Sequence, residues 1–364
     1  MPNQISLDQV RSVVFTGDII RTGYNSHGPN QNVNIGWLER LWGVQLTRAL
    51  GVPGRILRSL PSDGFDINYF YSLLGYGTIP SADNWARVFG AEELPEAAAS
   101  YVMPHFENTL VASVELPEVF LNLLDRIGTP YFDITFHPVR FGSELILGIR
   151  TNVKECAERL ATFCQTEDQH FVEAAMFPSL NPVETVDLKP GALIAGQTLG
   201  DRVSIESGRF VGLADYSDQL GEILEKYENV YYKRHPLVRN DHDMIKFLSG
   251  ASKIRFISDN IYDLMLSDSI LHVTSLCSGV SVEAKYFKKD CSSLKSSGNY
   301  FYEMDAASGK LDDLSRIFYS IKTLHMSTAW WRHVLLGEAL PHMFDDLSSR
   351  SPVRDTLKQK WGLK

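Results

Sequence analysis

Between Asn229 and Asp290, short apolar runs alternate with polar segments of helical spacing. Val230-Tyr231-Tyr232 is β-branched and aromatic, the composition of a buried strand. Pro236 ends that strand, because proline has no N–H for a sheet ladder. His235, the residue before it, is thereby held extended at the strand's C-terminal end. Lys253–Ile257 predicts a second strand, with Ser258 or Asp259 as the cap of a helix over Asn260–Leu266. Ser269–Val273 predicts a third strand, running through Thr274-Ser275-Leu276-Cys277-Ser278-Gly279 into a helix over Val280–Phe287. Strand and helix alternating at this spacing predict βαβ units and a parallel sheet, whose carboxyl edge is where such sheets bind ligands.

The same grammar opens the chain. Ser12–Asp18 reads as a strand and tight turn, then comes a Gly- and Asn-rich loop from Arg21, then a helix over Ile35–Leu50 that stops at Gly51. No G-x-G-x-x-G is present, so no dinucleotide is implied. Arg55–Arg58 and Leu110–Val114 predict strands, the latter ending at Glu115. A helix over Pro117–Ile127, a strand over Tyr131–Phe136 that closes on His137-Pro138, and a strand over Glu144–Gly148 follow. A long helix over Val153–Thr166 then leads to Pro178, Pro182 and Pro190, spaced by polar residues as in an interdomain linker. Ala192–Gln197 starts the second half, and Leu220–Tyr227 reads as a helix. Leu311–Met326 and Thr328–Leu340 also read as helices.

These elements predict an α/β protein of two Rossmann-like domains facing a cleft. The expected division is 1–185 for a first Rossmann-like domain, 186–325 for a second, and 326–364 for C-terminal helices packing back on the first. The chain's 364 residues suffice for two cores.

A net charge of −9 argues against nucleic acid as a partner and requires any anionic ligand to meet a local cluster of donors. The four cysteines, Cys156, Cys164, Cys277 and Cys291, form no C-x-x-C and read as reduced thiols of a cytoplasmic protein. No signal-like start and no apolar run of about 18 residues is seen. The basic tail (Arg350, Arg354, Lys358, Lys360, Lys364) reads either as a peripheral contact with the anionic inner-membrane surface or as a solvated terminal helix.

Several residues are candidates for chemistry. His235, beside Lys233 and Arg234, can donate to a phosphate oxygen. The dipeptide alone is weak, since His–Pro or Pro–His occurs four times in the chain. Ser275 and Ser278, with Gly279, sit where a strand meets a helix N-terminus and can form an anion site; plain capping by Ser278 would look the same. Glu283 can reach a ribose or face solvent. Glu115 and Asp201 are carboxylates at strand exits, one in each half, suited to acid/base or nucleophilic work or to capping turns.

Asn32 and Asn34, in a run with Asn25, Asn30 and Gln31, are placed to bond sugar hydroxyls or to make turns. His137 and Arg140 are acceptor-side candidates, or a structural turn. Asp241-His242-Asp243 has D-x-D spacing but precedes a helical run, where capping is the simpler role; no metal is expected. Trp330-Trp331 reads as packing.

Tyr232-Lys233-Arg234-His235-Pro236, then Asp263-Leu264, Ser267-Asp268, Thr274–Gly279 and Glu283-Ala284, resembles the C-terminal half of CMP-sugar-dependent bacterial glycosyltransferases. These include bacterial sialyltransferases and the capsule and O-antigen β-Kdo transferases. Gly196-Gln197-Thr198-Leu199-Gly200-Asp201 is similar to the Gly-Gln…Asp loop of the capsule enzymes. The likeness covers about residues 192 to 290. It implies the GT-B architecture and no cofactor, with a CMP-sugar as donor substrate and a glycan or glycolipid as acceptor. Lys233, His235, Pro236, Ser275, Ser278, Gly279 and Glu283 would hold the nucleotide. Asp201 would be the nucleophile of a retaining double displacement and Glu115 the acid/base. The family's acidic-acidic-Gly pattern is not matched there; the chain reads Glu115-Leu116-Pro117. The function implied is transfer of Kdo or a related nonulosonic acid onto a bacterial surface glycan. A UDP- or GDP-sugar transferase and a non-catalytic glycan- or nucleotide-binding protein are the alternatives.

Overall fold

The computed structural model describes residues 6–22, 31–142, 144–198, 200–238, 253–296, 298–305, 316–322 and 326–340. Asn25, Asn30, the Asp241-His242-Asp243 triplet and the basic tail lie outside them. The chain divides into two compact units. One comprises Met1–His137, Ser143–Gln165 and Tyr300–Lys364; the other comprises Pro138–Gly142 and Thr166–Asn299.

In chain order the first unit begins with β1 (Ser12–Gly17), α1 (Asn32–Leu50), β2 (Gly54–Ile56), α2 (Ile67–Leu73), α3 (Ala82–Phe89) and α4 (Glu96–Val102). It continues with β3 (Thr109–Val114), α5 (Glu118–Ile127), β4 (Tyr131–Phe136), β5 (Ile146–Thr151) and α6 (Lys154–Ala161). The second unit holds α7 (Glu167–Leu180), β6 (Gly191–Ala195), β7 (Ile205–Glu206), β8 (Arg209–Phe210), α8 (Ser217–Lys226) and β9 (Val230–Lys233). After these come β10 (Ile254–Ile257), α9 (Ile261–Leu266), β11 (Ile270–Ser275), α10 (Gly279–Tyr286) and β12 (Asp290–Ser293). The chain then returns to the first unit with β13 (Tyr300–Phe301), α11 (Tyr302–Asp305), β14 (Ile317–Lys322) and α12 (Thr328–Leu336).

The first sheet has seven strands in the order β13-β14-β5-β4-β3-β1-β2. Its β4-β3-β1-β2 part is parallel, whereas β5 runs antiparallel to β4 and to β14. The link from β4 to β5 is too short for a parallel crossover, which needs about a dozen residues or more. Every residue of β3 is buried, as in a strand covered on both faces. Gly51, at φ 68°, ends α1 as the spacing predicts. Trp330 and Trp331 are fully buried, and Trp331 meets Trp42 of α1 at 4.8 Å between ring centroids.

Two helical readings are corrected. Ile317–Lys322 is a strand: a short run rich in aromatic and β-branched residues fits either period, and pairing with β5 decides it. The helix from Val153 stops at Ala161, and a new one begins behind Thr166, whose hydroxyl accepts from Gln169 N in a capping box.

The second sheet is wholly parallel, in the order β10-β9-β6-β11-β12. Its side chains alternate between two apolar layers. Leu193, Tyr231 and Val273 join one cluster, and Ile194, Val230 and Tyr232 the other. The cap of α9 is Asn260, which accepts from Tyr262 N, and neither Ser258 nor Asp259. Both units are therefore Rossmann-like α/β layers. Among the described residues, no helix is long and apolar enough to cross a membrane.

Candidate functional site

The second sheet reverses its strand order beside β6, whose neighbours are β9 and β11. Such a switch point leaves a crevice at the carboxyl ends of the strands. The register brings three loops to one level there: Ala195 stands opposite Lys233 on one side and Ser275 on the other. Neighbouring strands are spaced about 4.8 Å, so the three exits lie within roughly 10 Å of one another.

Gly196 lets the first loop approach the second. A Cβ on it would stand 2.8 Å from the Tyr232 hydroxyl and 3.1 Å from the backbone nitrogen of His235. His235 is half-buried. Its Nδ1 accepts from the amide of Leu237 at 3.2 Å, which leaves the ring proton on Nε2 as a donor. Burial, then the positive charges of Arg140 and Lys233, hold the imidazole below its ordinary pKa, and Asp201 acts against them. His235 is thus a neutral donor near pH 7. Lys233 is itself held down by burial.

The loop after β11 is tied to the first loop by Gln197. Its Oε1 accepts from the amide of Cys277 at 3.1 Å, and its Nε2 reaches Cys277 Sγ at the same distance. Burial pushes the Cys277 thiol up to about 11, so it is an un-ionised packing group at neutral pH.

Ser275 is fully buried. Its hydroxyl accepts from Ser278 N at 3.0 Å and donates to Ser281 Oγ at 3.0 Å. It shapes the loop from within. The Ser278 hydroxyl accepts from Val280 N at 3.4 Å and caps α10, which Gly279 opens. Pro236 is exposed beside His235.

Glu283 is also turned inward. It is 3% exposed, and Oε1 accepts from the amides of Arg140 and Phe141 and from the Tyr262 hydroxyl, at 2.6, 3.1 and 3.1 Å. Burial pushes its carboxyl up to about 7. These bonds hold neighbouring backbone in place of the expected ribose. Asp201 precedes a short 3-10 turn without capping it through its side chain. Its charge acts on both His235 and Cys277.

In the first unit the corresponding edge carries Glu115. Gly17 pairs with Val114 across the β1–β3 switch point. Glu115, the next residue, has φ 55°, a left-handed conformation that costs a side-chain-bearing residue about 1–2 kcal/mol. Two long-range bonds impose it: Glu115 N donates to Ile134 O at 2.8 Å, and Leu116 N donates to Asp133 Oδ1 at 3.0 Å. Asp133 is fully buried and paired with Arg150 at 3.0 Å. The Glu115 carboxylate accepts from Gln31 Nε2 and Thr135 Oγ1, both at 3.2 Å. Asn34 Nδ2 donates to Gln31 Oε1 at 2.6 Å. Asn32 turns elsewhere, its Oδ1 accepting from the amide and hydroxyl of Ser59 at 3.1 Å.

His137 is buried, with Nε2 2.9 Å from Glu303 Oε1 and its ring edge-on to Phe301. Arg140, three residues on, falls in the other unit. Gln197, Thr135 and Asp133 are the contributors that sequence reasoning missed. Only Gln197 carried a local signal, following the glycine at a strand exit.

No protein-family model matches the chain, and no curated protein sequence matches it significantly. Solved structures similar to it include KpsC of Thermosulfurimonas dismutans, a β-Kdo 2,7-transferase, at 14% identity and a TM-score of 0.33, over 54% of this chain and 68% of that one. The UDP-GlcNAc 2-epimerase of Methanocaldococcus jannaschii, solved with UDP-GlcNAc and UDP, is similar at 12% identity and a TM-score of 0.31, over 97% of this chain and 100% of that one. Neither likeness carries an activity over to this chain.

Proposed function

We propose that this protein is a glycosyltransferase that binds a nucleotide-sugar at the carboxyl edge of its second sheet. One observation carries the reading: Lys233, His235 and the 275–279 loop leave the two strands that flank β6 at one level, with the His235 Nε2–H as donor. A neutral imidazole donor beside two cations suits a phosphate whose negative charge grows as the sugar departs. The resemblance of the His-Pro and serine-rich motifs to those of CMP-sugar transferases supports CMP as the nucleotide and Kdo or a related nonulosonic acid as the sugar.

In this reading Asp201 attacks the anomeric carbon as the bond to the phosphate oxygen breaks. The electron pair leaves with CMP and is met by His235. An acceptor hydroxyl on a surface glycan then attacks the same carbon and releases Asp201, its proton passing to a carboxylate; the resemblance gives that role to Glu115, which Gln31 and Thr135 set. Ser275 and Glu283 support the site from inside and touch no ligand.

The test is calorimetric titration with CMP, UDP and GDP, followed by transfer assays with CMP-Kdo. CMP binding that His235→Ala weakens tenfold or more is expected. Tighter binding of UDP or GDP would move the donor to another class. Binding without turnover of any donor would leave a nucleotide-binding protein.

A further inference from the structure

The chain sends a five-residue segment, Pro138–Gly142, into the second unit between two stretches that belong to the first. The segment is held at successive residues. Val139 and Phe141 enter the apolar cluster on one face of the second sheet, where Phe141 meets Phe287 edge-on at 5.1 Å between centroids. The carbonyl oxygen of Pro138 lies 2.8 Å from where a Cβ on Gly279 would be, so only glycine lets the segment cross the first turn of α10. One turn along that helix, Glu283 accepts from the amides of Arg140 and Phe141. The residues on either side of Arg140 are 2% and 7% exposed, whereas Arg140 itself is exposed.

We propose that Arg140 is a ligand of the phosphate bound at this edge, and that Glu283 is the positioning residue that aims it by gripping its backbone. This rests on the nucleotide reading above and moves Arg140 from the acceptor to the donor. The placement agrees with the influence of its charge on His235, which Lys233 shares. A guanidinium adds a planar, two-pronged donor that the Lys233 ammonium cannot supply. In a chain of net charge −9, a cationic group brought to this edge by a dedicated segment is the local cluster that an anionic ligand needs.

The experiment is calorimetry on the full chain with four probes: CMP, cytidine, UDP and uridine. Arg140→Gln is expected to weaken the preferred nucleotide tenfold or more and to leave its nucleoside unchanged, because only the phosphate is contacted. Glu283→Ala is expected to reproduce that loss. Glu283→Gln, which keeps an acceptor for the two amides, is expected to stay within about threefold of the parent chain. Should Glu283→Ala fold poorly by circular dichroism, Glu283→Asp, one methylene short of the amides, gives the same information. Arg140→Gln binding the nucleotide as tightly as the parent, or losing nucleotide and nucleoside equally, overturns the inference and leaves the nucleotide site standing. A parent chain that binds none of the four probes, and no GDP, overturns the nucleotide reading and this inference together.

Discussion

At the scale of single residues, two carboxylates sit in settings that cost stability. Glu283 is buried with its carboxyl pushed up to about 7. Between the ordinary carboxylate value and that point, the unfolded chain has released a proton that the folded chain retains. Stability therefore falls as pH rises through this window and levels off above it, by at most about 3 kcal/mol. Urea denaturation from pH 4.5 to 8 is expected to show this slope in the parent and to lose it in Glu283→Gln. Glu115 stores its cost in the backbone, at φ 55°. Glu115→Gly and Glu115→Ala both remove the carboxylate, but only glycine relieves the left-handed strain. The glycine variant is expected to be the more stable by roughly 1 kcal/mol in urea denaturation, with both inactive in transfer. Strain kept at a strand exit beside a switch point fits a residue placed for function.

At the scale of elements, the site depends on how closely loops approach one another. Gly196 is one such close approach, against Tyr232 and His235. Gly196→Ala is expected to destabilise the second unit by roughly 1–3 kcal/mol and to weaken CMP binding, as the loops are pushed apart. Gln197 joins the loops on the other side, through the Cys277 amide. Gln197→Ala leaves that amide without its side-chain acceptor. The expected result is weaker CMP binding with little change in stability, read by calorimetry and thermal melting together. Much of this scale was legible in advance. Pro236 and the capping Ser278 marked the ends of β9 and the start of α10, because backbone sterics and local hydrogen bonds act over a few residues. The strand at Ile317–Lys322 was not legible, because only a partner strand distinguishes it from a helix.

At the scale of the whole molecule, each unit has its own sheet and its own core. A nucleotide bound by the second unit should therefore protect that unit first. CMP at a hundred times its dissociation constant is expected to add about 2.7 kcal/mol to the stability of the nucleotide-binding unit. Hydrogen exchange should slow at 196–197, 234–237 and 276–279, with the first sheet unchanged. Uniform protection of both units, or protection confined to residues 31–59, would place the ligand elsewhere.

What the sequence determined by itself was local: where strands stop, where helices are capped, and that parallel βαβ units recur in both halves. Those features follow from φ restrictions, missing donors and apolar periodicity within a few residues. The tertiary structure alone decided which strand exits stand side by side, because register is set by pairing partners far apart in sequence. It turned Ser275, Glu283 and His137 inward and bent Glu115 through its own bond to Ile134 O and the bond that Leu116 N donates to Asp133. It placed Arg140 with the second unit. Burial and long-range hydrogen bonds made those choices, and neither is written in the residues that flank each site.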